Sequence, residues 1–144
     1  MIAKGVWFAG AFLFMEVFSW TIHKYLMHGI LWRIHKTHHL PGKSFFEWND
    51  LFSLFFGGVA AGLIFSGINH FDYRFWAGLG IACYGMFYFV LHDLMIHGRG
   101  RRLRVTGNRY LKGLTRAHKM HHKHTERTGG ESFGLLWVSK KYFK

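Results

Sequence analysis

The stretch RIHKTHH at 33–39 returns at 116–122 as RAHKMHH, with five of seven positions unchanged. Each heptad carries histidines at i, i+3 and i+4: His35, His38 and His39 in the first, His118, His121 and His122 in the second. That spacing lines imidazoles along one side of an α-helix and turns Arg33 and Lys36, or Arg116 and Lys119, away from them. Two further segments, HKYLMHG at 23–29 and HDLMIHG at 92–98, match each other and add His23, His28, His92 and His97. Neutral imidazole is the commonest metal ligand and suits Zn, Cu, Fe and Ni. A single structural zinc needs only about four ligands. These ten rings instead suit two metals with about four or five each, leaving room for an exogenous ligand. The order pair, triplet, pair, triplet suggests a duplicated metal-binding half. Of the remaining histidines, His124 is read as a surface residue and His70, in the outer loop, as no ligand.

The paired histidines pose a geometric problem. Residues five apart differ by about 140° on an ideal α-helix. His23 and His28, like His92 and His97, therefore share a face only if the turn between them is distorted. Otherwise each member serves a different metal. Gly29 and Gly98 mark points where the helix can unwind.

Absent motifs narrow the chemistry. No Glu or Asp is followed by His three residues later, so the ferritin-like carboxylate-bridged pattern is missing. There is no H-E-x-x-H for zinc hydrolysis. GLGIACYG at 78–85 has the wrong spacing for a dinucleotide loop, so no bound flavin or nicotinamide is expected. An all-imidazole pair of redox metals without its own reductant site points to O2 activation with electrons delivered from outside.

The elements that must position these residues are membrane helices. Of 144 residues, 50% are apolar and 19% aromatic, yet the formal charge is +12. Such a chain is expected to be all-α: one integral-membrane helical bundle spanning 1–144, with about three transmembrane helices, possibly four. Residues 5–22, 51–69 and 75–92 are long and apolar enough, given that about 20 residues cross a bilayer. Gly58 and Gly62 form a G-x-x-x-G that permits close helix contact. With three spans, all the Lys and Arg except Lys4 and Arg74 fall on the side that holds the ten clustered histidines. That side is therefore expected to be cytoplasmic. Membrane topology accounts for the basicity, and no nucleic-acid partner is expected. The lone Cys83 excludes an internal disulfide. Leu111, Leu114, His118, His121 and His122 share one face of a predicted amphipathic helix, opposite the stripe Arg109, Lys112, Arg116, Lys119 and Lys123. It would form a histidine-rich metal-binding cap over the bundle, and Pro41 would end the corresponding first helix.

Carboxylates complete the candidate set. Glu16 is the only charge in the first span and lies seven residues before His23. Intramembrane charges are functional candidates by default. Asp93 is four residues before His97. Both are candidate catalytic residues acting behind the metal ligands, followed by Glu47, Asp50 and Glu131.

Taken with their surroundings, these motifs resemble the integral-membrane fatty acid hydroxylase and sterol desaturase superfamily. Within it, the chain is similar to the bacterial-type β-carotene 3-hydroxylases. The matching text is MEV at 15–17, HKYLMHG at 23–29, HKTHH at 35–39 and FEWNDL at 46–51. It continues through YGMFYF at 84–89, HD at 92–93, YLK at 110–112, AHKMHH at 117–122 and SFG at 132–134. The resemblance covers nearly the whole chain. It implies a non-haem di-iron monooxygenase that hydroxylates C3 of each β-ionone ring of β-carotene, through β-cryptoxanthin to zeaxanthin. It further implies two iron ions, O2 as co-substrate, a carotenoid entering from the membrane lipid, and ferredoxin or a similar electron donor. It also implies that the membrane is the inner membrane of a bacterium. Rival readings are a hydroxylase or desaturase of fatty acyl chains or sterols, and a haem or metal-ion carrier.

Overall fold

The computed structural model describes residues 2–40, 46–99 and 107–144. All regular structure among them is helical. Helix α1 spans Ile2–Thr21 and runs on as a π-helical segment, Ile22–Met27; α2 follows at Trp32–His39. Helix α3 spans Asp50–Gly67, and α4 spans Tyr73–Tyr88 and continues as a second π segment, Phe89–Ile96. Helix α5 spans Arg109–Lys123, and a 3-10 turn at Lys140–Phe143 closes the chain. Pro41, expected to end α2, lies outside the described residues.

Three helices are long and apolar enough to cross a membrane: Ile2–Met27, Asp50–Gly67 and Tyr73–Ile96. The first and third run past the expected ends at 22 and 92 because the π segments prolong them. Leu13, Phe14, Val17, Leu54, Phe55, Phe65 and Met86 all face outward. Water would make that costly; hydrocarbon is as apolar as the side chains themselves.

Helix α4 packs against both α1 and α3, which scarcely touch one another. Glycine sets these approaches. A Cβ on Gly80 would stand 2.4 Å from the main-chain oxygen of Phe8, and one on Gly78 would stand 2.9 Å from that of Ala60. A Cβ on Gly58 or Gly62 would meet nothing within 4 Å among the described residues, so the G-x-x-x-G sets no close helix approach there. Asp72 caps α4 through the Arg74 amide, and Asn108 caps α5 through that of Leu111. Between α1 and α3, under α4, lies an apolar cavity of about 640 Å³.

Helix α5 has the predicted two faces: Leu114, Ala117, His118 and His121 are buried, while Arg109, Lys112, Arg116, Lys119 and Lys123 are exposed. Residues 124–139 follow without regular structure and cross back over the histidines to α1.

Candidate metal centre

The π segments answer the question posed by histidines five apart. A π turn closes i→i+5 hydrogen bonds and stacks residues five apart. The His28 amide bonds the His23 carbonyl at 3.0 Å, and the His97 amide bonds that of His92 at 2.9 Å. Each pair therefore enters one centre together. Both segments end at the expected glycines. Gly98 adopts φ +67°, and a Cβ on Gly29 would lie 1.9 Å from the Tyr25 carbonyl oxygen.

The triplets are divided between two centres. In site 1, one nitrogen from each of His23, His28, His35, His39 and His121 lies within 4.8 Å of all the others. In site 2 the same holds for His38, His92, His97 and His118. His122 stands beside site 2, with its ring centroid 4.5 Å from that of His118 and 4.7 Å from those of His38 and His97, and it also stacks on His39 of site 1 at 4.5 Å. Its Nε2 is buried with no hydrogen-bond partner among the described residues. Each site thus takes one pair, the i and i+4 rings of its own triplet, and the i+3 ring of the other triplet. The helix wheel gives the reason: i and i+4 are about 40° apart, whereas i+3 and i+4 are about 100° apart. Residue i+3 therefore looks across to the neighbouring site.

What stands behind each ring fixes its tautomer. In site 1 every Nδ1 faces an oxygen: Phe133 O for His23 at 2.8 Å, Arg127 O for His28 at 3.1 Å, and Asn49 Oδ1 for His35 at 2.7 Å. His124 O serves His39 at 3.1 Å, and Glu131 O serves His121 at 2.9 Å. A carbonyl has no proton to give, so each Nδ1 donates and each Nε2 of the neutral ring presents a bare lone pair. Those Nε2 atoms face one another: His23 to His35 at 3.0 Å, His28 to His121 at 3.2 Å, and His35 to His39 at 3.1 Å. Two rings of site 2 repeat this. His38 Nδ1 donates to Glu47 at 2.8 Å and His92 Nδ1 to Asp93 at 2.6 Å, while their Nε2 atoms stand 3.0 Å apart. Opposed lone pairs make no hydrogen bond. Among the described residues these rings fit two cations, with His122 beside the second.

Burial keeps the rings neutral. It holds His35 and His121 down to about 3 and His39 to about 4, and puts His38 and His118 well below the usual histidine range. Neighbouring imidazoles push the same way, since a second positive charge there would be repelled.

The carboxylates fall in different places. Asp93 backs His92 rather than His97, and Arg99 ties it to Asp50 and Glu47 at 3.3, 2.7 and 3.6 Å. Glu47, brought beside His38, is pushed up by its own burial against the pull of Arg99. Glu131 contributes its carbonyl, while its side chain pairs with Lys141. Glu16 touches no histidine. One of its oxygens accepts the amides of Leu136 at 2.9 Å and Trp137 at 2.8 Å, and the other accepts Tyr84 Oη at 2.9 Å. His70 is exposed in the loop at the opposite end, and His124 serves the site only through its carbonyl.

Three contributors were not foreseen from sequence. Asn49 is buried against His35. Tyr88 stacks on His92 with centroids 4.3 Å apart and its hydroxyl 3.2 Å from Nε2. The main-chain carbonyls of 124–133 carry no side-chain signal at all. Asn49 sits inside the FEWNDL stretch, so its closeness to two candidate carboxylates was the available cue.

The apolar cavity runs from the lipid-facing helices to this centre. Phe52, Gly57 and Ala61 line its α3 side, and His23, His92 and His118 stand at its inner end. Its lining thus joins apolar side chains of α3 to rings of both sites.

Comparison with known proteins agrees with this chemistry. A family model described as fatty acid hydroxylase matches residues 8–140. A β-carotene hydroxylase of Pseudescherichia vulneris is 41% identical over 126 residues, covering 88% of this chain and 72% of that protein. Its counterpart from Pantoea ananas is 40% identical over 124 residues, covering 86% and 71%. The chloroplastic β-carotene 3-hydroxylase 1 of Arabidopsis thaliana is 35% identical over 136 residues, 92% of this chain and 43% of that protein. No solved structure matches the chain. With paired histidine centres beneath three apolar helices, and a family match over nearly its whole length, the chain belongs to the fatty acid hydroxylase family.

Proposed function

We propose that this chain is a β-carotene 3-hydroxylase. It inserts one oxygen atom of O2 at C3 of a β-ionone ring, first giving β-cryptoxanthin and then zeaxanthin. Each turnover consumes two electrons and two protons: the C–H becomes C–OH, and the second oxygen atom leaves as water. The observation that carries the reading is the convergence of Nε2 lone pairs into two adjacent centres at the end of an apolar cavity. The relatives, named as hydroxylases of β-carotene, support the carotenoid assignment.

Two iron ions, held by His23, His28, His35, His39 and His121 and by His38, His92, His97, His118 and His122, would activate O2 and supply the oxidising power. Zinc is redox-inert and would not serve. The protein's part is placement. Phe52, Phe56 and Ile81 give the polyene an apolar bed that excludes water. Tyr88 and Asn49 hold rings of both centres at the cavity's end. The exposed cations Arg33, Lys36, Lys112, Lys119 and Lys123 surround the histidine cap. They would steer an acidic one-electron donor such as ferredoxin to it. The excess of Lys and Arg on this side supports a cytoplasmic orientation in a bacterial inner membrane.

The test is expression in bacteria that accumulate β-carotene, with iron supplied and pigments resolved by HPLC and mass detection. Products heavier by one and two oxygen atoms are expected, and their absence is expected in the double variant His38→Ala, His121→Ala. Unchanged β-carotene beside an iron-loaded protein and a reducing partner would overturn the carotenoid assignment and turn attention to acyl and sterol lipids.

A further inference from the structure

The two sites are built alike but supported differently. Behind site 2 stand carboxylates: Glu47 on His38 and Asp93 on His92, locked by Arg99. Behind site 1 stand only neutral acceptors. Four of the five are main-chain carbonyls of one irregular strap, at residues 124, 127, 131 and 133. That strap has no helix or strand of its own. It is pinned where Leu135 enters the core beside Met15 and Tyr84, and where Glu16 takes the amides of Leu136 and Trp137. Ser132 holds φ +61°, an uncommon value for a residue with a side chain, between the two carbonyls that reach His121 and His23.

From this asymmetry, resting on the two-metal reading above, we infer that the sites fill in order. Site 2 binds first and more tightly. Site 1 binds second, and its occupancy is linked to docking of the strap through Glu16. An imidazole backed by a carboxylate is a more basic ligand than one backed by a carbonyl, and such outer partners are worth about 10–100-fold in metal affinity. Site 1 also requires an irregular segment to be ordered before its rings are aimed. Linkage is reciprocal: whatever releases the strap weakens metal at site 1, and metal at site 1 holds the strap. Glu16 is thus a positioning residue that acts through the tail.

The test uses the full-length chain in detergent, loaded with zinc ions as a redox-silent probe. Release to a colorimetric chelator is followed alongside tryptic cleavage after Arg127, whose side chain donates to the His28 carbonyl while the strap is docked. Two metals per chain are expected to leave in two phases of equal size, with rates about 10–100-fold apart. Cleavage should rise with the fast phase only. Glu16→Leu is expected to keep the slow metal, lose the fast one and expose Arg127 to trypsin. Glu16→Gln, whose amide oxygen still accepts both amides, should keep both metals. Glu47→Gln should quicken the slow phase about tenfold or more and leave the fast phase alone. Should Glu16→Leu fail to accumulate, Glu47→Gln carries the same decision. Two metals leaving in a single phase, cleavage that follows the slow phase, or a Glu47→Gln effect on the fast phase would each overturn the inference. Binding of fewer than two metals would overturn the two-metal reading itself.

Discussion

Acid should unfold the metal-free histidine cap well above the pH at which ordinary carboxylates titrate. His35 and His121, both essentially inaccessible to water, are held at about 3 in the fold. Unfolded, each would titrate near 6.5, so below that pH the unfolded state binds more protons and stability falls as pH falls. Above about 6.5 both states are neutral and stability is flat. At pH 5.5 each ring costs about 1.4 kcal/mol relative to neutral pH, and at pH 4.5 about 2.7 kcal/mol. The two together remove about 3 kcal/mol at pH 5.5, a large share of ordinary domain stability. Trp32 is a built-in reporter, with its ring 5.0 Å from His28 and 5.3 Å from His39. Tryptophan fluorescence during urea titration of chelator-treated protein, from pH 7.5 to 4.5, reads the effect. His121→Leu should reduce the slope by about one proton, roughly 1.4 kcal/mol per pH unit. Stability that stayed flat to pH 5, or rose as pH fell, would refute the view that these rings are buried and neutral.

Further outcomes follow from single residues. His122→Leu should lower metal content at site 2 more than at site 1, since its ring adjoins three site-2 rings and one close site-1 ring, His39; elemental analysis per chain reads it. Gly57→Phe should fold normally and keep both metals while cutting carotenoid product at least about tenfold, because a Cβ there meets open space and the ring fills the cavity. Gly80→Ala should cost about 1–3 kcal/mol or more in a detergent thermal melt, since its Cβ would press within 2.4 Å of the Phe8 carbonyl oxygen.

Much of the centre was legible because helical spacing is written in sequence. The i, i+3, i+4 triplets announced which rings point inward, and both α2 and α5 bury them. Glu16 was legible as a charge within a span, but two of its partners are main-chain amides of the tail, 120 and 121 residues away. No side-chain pattern encodes a carbonyl's direction, so the strap's role was invisible.

The sequence alone determined three apolar spans, a basic side, ten histidines gathered on that side, and the doubled pattern, since each follows from residue type and local period. Tertiary structure decided how those histidines are shared. The five-residue pairs join one centre each only because the backbone adopts π turns, whose cost is offset by ring packing and long-range contacts. The triplets split between sites only because α2 and α5 meet with their i+3 rings crossed. The different backing of the two sites arises because a distant tail covers one, whereas Glu47 and Asp93 flank the other. These are long-range placements, and a local pattern carries no information about which distant atom will arrive beside it.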